Sequence, residues 1–162
     1  MTTTHSLTVI SAFPPVISVT PWHDPVIDLV GHDPRSLYAE QFWLSILGPS
    51  ASWFLRRVAD GFDVYPDGFE LDLPELAAAL GLAWAPGSQS VFARTLARVV
   101  QFGAAHPMGT TGMLVRRRLP SLTRRQLERL PESLRSAHAA WASQQLDELA
   151  GGLDRPMERL AS

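Results

Sequence analysis

The sequence predicts a mainly α-helical protein with one β-hairpin and additional helices at its C-terminal end. Capping residues recur in front of apolar periodicity. Asp33, Ser50, Asp72 and either Ser88 or Ser90 stand where a short polar side chain satisfies the free N–H groups of a first helical turn. Phe92, Leu96, Val99 and Val100 repeat at i, i+4, i+7 and i+8, the spacing of a buried helical stripe. One turn-rich stretch, His106–Gly112, runs into Met113–Leu119, whose β-branched and long side chains suit a returning strand.

Residues 1–32 hold Pro14, Pro15, Pro21 and Pro25 around the runs Leu7–Ile10 and Val16–Thr20. Prolines at this density predict an extended acidic arm with one strand and no helix. Asp33-Pro34 then opens a helix that stops at Gly48-Pro49, with Leu37, Phe42, Trp43, Leu44 and Leu47 on its apolar side. Ser50 caps a second helix over 51–60, closed by Gly61, with Trp53, Phe54 and Val58 inward and Arg56 and Arg57 outward. Residues 62–69 form a loop turned by Pro66-Asp67-Gly68. Asp72 and Glu75 start a short helix over 73–80 in a capping-box-like pattern, and Gly81 ends it. Beyond Pro86-Gly87, a fourth helix spans 91–102. Residues 122–130 and 131–150 form two more, the last begun by Pro131 and ended by Gly151-Gly152. The expected division is an arm (1–32), a helical domain (33–120), C-terminal helices (121–151) and a flexible tail (152–162).

A chain of 162 residues, 46% hydrophobic and 19% charged, has the size and composition for a packed core. It has no cysteine, which excludes disulfides, thiolate chemistry and Cys-ligated zinc and fits a cytoplasmic protein. The N-terminal residues lack the basic and apolar regions of a secretion signal. No apolar run approaches the roughly 20 residues of a membrane helix, so no membrane partner is expected.

The net charge of −2 hides a dipolar chain. From 91 to 129 stand Arg94, Arg98, Arg116, Arg117, Arg118, Arg124, Arg125 and Arg129 against one acid, Glu128. Residues 1–90 are the reverse, with only Arg35, Arg56 and Arg57 among many acids. All 14 basic residues are arginine, the bias of a GC-rich genome, so the clustering rather than the content is informative. Such asymmetry points to an anionic partner for the basic part.

Three helices followed by a hairpin, the last helix and the hairpin both basic, resemble the winged helix-turn-helix family over about residues 50–119. In that family the third helix lies in the major groove of DNA, and the hairpin wing touches the backbone or minor groove. The resemblance implies a recognition helix at 91–102, with Ser90, Arg94, Thr95, Arg98 and Gln101 as its exposed readers. Arginine pairs bidentately with guanine and glutamine with adenine, so the residue types suit base edges. It also implies that Arg116, Arg117 and Arg118 on the wing, with Arg124 and Arg125 beyond it, neutralise phosphates. Alternation along the strand puts Arg117 opposite Arg116 and Arg118, beside Val115 and Leu119, so at least one wing arginine serves packing or an ion pair.

Other groupings have simpler accounts. His23-Asp24-Pro25 and His32-Asp33-Pro34 contain metal-ligand types, but Asp before Pro is ordinary turn and helix-start grammar, so no metal site is expected. The carboxylates Asp60, Asp63, Asp67, Glu70 and Asp72 span turns and a cap with no histidine nearby. No nucleotide-binding or nucleophile motif is present, and no catalytic residue or cofactor is expected. The last helix carries a thin stripe of Leu134, Trp141, Leu146 and Leu149, which either pairs two protomers or folds back on its own domain. The reading is a DNA-binding transcriptional regulator on double-stranded DNA, a homodimer where the last helix pairs two protomers rather than folding back. The alternative is an adaptor of the same shape whose basic face binds an acidic protein.

Overall fold

The computed structural model, which describes residues 2–86 and 90–153, is mixed α/β, with helices and one four-stranded sheet among the described residues. Two units divide the chain, one up to Leu122 and one from Thr123.

The N-terminal residues are not an extended arm. Helices α1 (Thr2–Ser11) and α2 (Pro25–Val30) flank strand β1 (Val16–Pro21). The prolines allow this because of where they stand. Pro25 is in the first turn of α2, where its missing N–H has no helical partner to lose, and Asp24 accepts from the N–H groups of Val26 and Ile27. In β1, Ile17 and Val19 are buried while Val16 and Ser18 are exposed, the period of two that a half-covered strand needs.

The helix expected from Asp33 starts later. Asp33 is engaged by the N–H and guanidinium of Arg35, and Ser36 Oγ accepts from Ala39 N–H. The chain then forms a π-helical turn (Ala39–Trp43) that continues into α3 (Leu44–Leu47). Tyr38, Phe42 and Ile46, with Ala39, Trp43 and Leu47, are buried, whereas Leu37 and Leu44, expected inside, are exposed. Gly48 ends α3 in the left-handed region at φ 81°, as the sequence predicts.

Helix α4 (Pro49–Val64) runs past its expected stop at Gly61. That glycine makes room rather than ending the helix: a Cβ there would lie 2.4 Å from the Phe69 ring. Trp53, expected in the core, is half exposed. Of the expected loop 62–69, residues 62–64 are the last turn of α4, residues 65–68 form the expected turn at Pro66-Asp67-Gly68, and Phe69 begins strand β2 (Phe69–Asp72). Helix α5 (Leu73–Ala79) has the predicted cap, Asp72 accepting from Glu75 N–H at 3.0 Å. Helix α6 (Val91–Gln101) is capped by Ser90, whose Oγ accepts from Ala93 N–H at 3.0 Å. Ser88 lies outside the described residues.

The hairpin is present as β3 (Ala105–Met108) and β4 (Gly112–Val115), antiparallel with Ala105 opposite Val115. The sheet order is β2–β1–β4–β3. β1 runs antiparallel to β2, Val16 opposite Asp72, and parallel to β4, Ser18 opposite Gly112. α6 packs against α1, α4 and β3. Beyond Val115 the chain leaves the sheet, and a two-way hydrogen-bonded bridge pins Leu119 to His32.

In the second unit, α7 (Arg124–Leu127) starts with a capping box between Thr123 and Gln126. Helix α8 (Glu132–Leu153) continues through Gly151-Gly152 instead of stopping there, and 154–162 lie outside the described residues. Among the described residues no helix is long and apolar enough to cross a membrane.

Replacing a helix-interior glycine with alanine ordinarily stabilises by up to about 1 kcal/mol. At Gly61 the sign should reverse, because the new methyl meets the Phe69 ring. Urea unfolding of Gly61→Ala should show a loss of about 1–3 kcal/mol, the usual cost of overpacking.

Candidate nucleic-acid interface

The apolar stripe of α6 orients its basic face. Phe92, Leu96 and Val99 are buried, which turns Arg94, Arg98 and Gln101 outward. Thr95 does not join them: it is 6% exposed, and its hydroxyl donates to Val91 O at 3.1 Å within the helix. Ser90 is committed to its cap. Of the five residues expected as readers, three share the exposed face.

That face borders an open groove of about 570 Å³ whose other wall is the first turn of α4, Gly48–Ala51. No side chain caps this turn, so the positive end of the α4 dipole adds to the arginine charge. Arg98 is held in place, its Nη2 donating to Ile46 O at 2.9 Å and its guanidinium 5.4 Å from the centre of the Phe102 ring. Arg94 and Gln101 make no side-chain hydrogen bond or ion pair among the described residues. A second cleft, of about 290 Å³, shares Pro49 and Ser50 with the groove and adds Trp53 and Arg57. Arg57 extends the cationic strip, and sequence spacing gave no hint of this, since β2 and α5 separate it from α6.

The arginines after the hairpin are placed differently from the expectation of a basic wing. β4 ends at Val115, so residues 116–118 come after the strand rather than lie on it. Arg116, its side chain only 15% exposed, donates from Nε to Gly103 O at 2.8 Å and pairs with Asp24 at 3.2 Å. It also stacks 4.1 Å from the Trp22 ring centre. Arg117 donates to Pro66 O and lies over Phe62, with its Nε buried and without a partner among the described residues. Arg118 is exposed and donates to Gly31 O at 3.1 Å. The packing and ion-pair roles expected of at least one wing arginine fall to Arg116 and Arg117. In the second unit, Arg124 is exposed 3.5 Å from Glu128, and Arg125 is exposed.

The two His-Asp-Pro sequences do unrelated work. Asp24 caps α2, and its carboxyl is held below the usual range, first by the Ile27 N–H and also by Arg116. His32 stacks on Tyr38 and lies 3.0 Å from Ser121 Oγ. Asp33 chelates Arg35, whose guanidinium also reaches Asp60 and Asp63. Arg35 thus holds two members of the carboxylate cluster together with Asp33, one positive charge among three negative ones, and a third member, Asp72, caps α5.

Arg35 lowers the pKa of Asp33, first through their side-chain hydrogen bond. A depressed carboxylate contributes stability above its unfolded value, near pH 4, and the contribution vanishes as pH falls through the folded value. Arg35→Met should cost about 1 kcal/mol at pH 7, the scale of a partly exposed ion pair, with the difference from wild type shrinking in melts below about pH 4. Arg116→Ala should cost about 1–3 kcal/mol in urea unfolding, because it strips partners from Gly103 O and Asp24, whereas Arg94→Ala should stay within about 0.5 kcal/mol.

Comparison of the chain with protein-family models, with curated proteins and with solved structures finds no match.

Proposed function

We propose that the protein is a winged helix-turn-helix regulator of transcription that binds double-stranded DNA through α6 and acts in the cytoplasm. The observation that carries this reading is the exposed row Arg94, Arg98 and Gln101, without an acidic partner among the described residues and bordering the uncapped start of α4. A guanidinium fixed by a backbone carbonyl, as in Arg98, loses less freedom on pairing with guanine or phosphate. The order of α4, β2, α5, α6 and the β3–β4 hairpin is compatible with the resemblance noted in the sequence. On this reading Arg57 takes over part of the phosphate contact expected of Arg116 and Arg117, and Arg118 remains exposed; Arg124 and Arg125 are exposed on the second unit. Helix α8, with Leu146 and Leu149 exposed at 67% and 68%, is the element proposed to pair two protomers.

The adaptor reading, in which the same face binds an acidic protein, is favoured by one observation. The engagement of Arg116 and Arg117 within the fold leaves a narrower cationic face than a phosphate clamp uses.

Fluorescence anisotropy with random-sequence duplex DNA across a salt series separates the two. On the DNA reading, log K falls linearly with log salt by roughly 0.9 per phosphate contact. Arg94→Ala/Arg98→Ala should weaken binding and reduce the slope by up to about 2, while Arg116→Ala leaves the slope unchanged. Absence of binding at low salt sinks the DNA reading and leaves the adaptor.

A further inference from the structure

Trp53 stands out on α4 because it is 50% exposed, while Phe54, Leu55 and Val58 around it are buried. A large aromatic ring left half in water adds little to the fold, whereas at a binding surface it supplies area and a flat face. The ring is held from one side. The Arg56 guanidinium lies 4.7 Å from its centre and is itself tied to Glu40 at 3.9 Å. Arg56 and Trp53 together border a cavity toward the π-helical turn. Trp53 also borders the cleft of about 290 Å³ shared with Pro49, Ser50 and Arg57, and Arg56 is not among the residues that line it. The ring therefore separates a side taken by a cation from a side that is open.

The surroundings of the open side say what it suits. Ser50, Trp53 and Arg57 follow i, i+3 and i+7, so they share one face of α4. Through Pro49 and Ser50 the cleft joins the groove beside Arg94, Arg98 and Gln101. No carboxylate is among the residues that line either one. Arg57 is exposed and makes no side-chain hydrogen bond or ion pair among the described residues. A cationic groove that runs onto an aromatic face matches a single nucleic-acid strand, because the cations track phosphates and any base can stack on the ring. Paired bases already stack on one another, so a closed duplex has none to offer Trp53.

We infer that Trp53 is a stacking platform for an unpaired DNA base. The strand that carries the base lays its phosphates along Arg57, the first turn of α4 and Arg98. The inference rests on the DNA reading and adds that the preferred partner is DNA with a single-stranded segment beside the duplex.

The test uses the full chain and fluorescence anisotropy with three probes. They are a blunt duplex with GC ends, the same duplex ending in a fork of unpaired thymidines, and the same fork built from abasic residues, which keeps the phosphates and removes the bases. The thymidine fork should bind about tenfold more tightly than the abasic fork, the scale of one stacked base. Trp53→Ala should remove that advantage and leave the blunt duplex unchanged, and Trp53→Phe, which keeps a ring, should retain most of it. Equal affinity for the two forks overturns the inference, as does an equal loss on all three probes in Trp53→Ala, and in both cases the DNA reading stands. Absence of binding to any probe at low salt overturns both.

Discussion

Strand β1 sits between β2 and β4, hydrogen-bonded antiparallel to one and parallel to the other, and most of the first unit takes its position from that insertion. β2 is four residues long and has β1 as its sheet neighbour, so without β1 its backbone groups would lose their partners. The same strand fills the core, since Ile17 and Val19 are almost fully buried. Its end continues the ladder by one bond, Trp22 N–H to Val115 O at 2.8 Å, and this carries Trp22 and Asp24 to the place where Arg116 emerges from β4. A sheet contact thereby fixes an ion pair across 92 residues of sequence.

The arginines divide according to what the backbone beside them lacks. Where the chain leaves β4, the carbonyls of Gly103, Pro66 and Gly31 lie outside the sheet ladder, and Arg116, Arg117 and Arg118 donate to them. The planar guanidinium, with five donors, can serve a carbonyl, a carboxylate and an aromatic face together, as Arg116 does. On α6 the helix satisfies its own carbonyls. Arg94 therefore finds no partner among the described residues, and Arg98 reaches across to the end of α3.

Around α4 the same economy of groups produces both a basic strip and an apolar cavity. Its first turn has no side-chain cap, its Gly61 admits Phe69, and its Ser52 hydroxyl is buried without a partner among the described residues. Leu47 borders both the groove beside α6 and a cavity of about 170 Å³ lined also by Trp43 and Trp53, so α3 is a shared wall. The acids at the far end of α4, Asp60 and Asp63, are gathered with Asp33 by Arg35, which offsets one of the three negative charges and leaves both side chains more than half exposed.

Local chemistry is legible in the sequence. Ser90 and Asp72 cap their helices, Gly48 ends α3, the hairpin forms at 105–115, and Phe92, Leu96 and Val99 turn inward. Each depends on neighbours within a few residues, where spacing and residue type decide the outcome. The rest is settled by contacts between distant parts of the chain. Leu7–Ile10 joins a helix although its composition suits a strand, and Phe69 forms a strand because β1 offers a pairing edge. Thr95 is buried because α6 is covered on more than one side. Arginines 116–118 close backbone gaps rather than stand on a wing, because an arginine takes whichever acceptor the fold brings within reach, and sequence order does not say which carbonyls are left open.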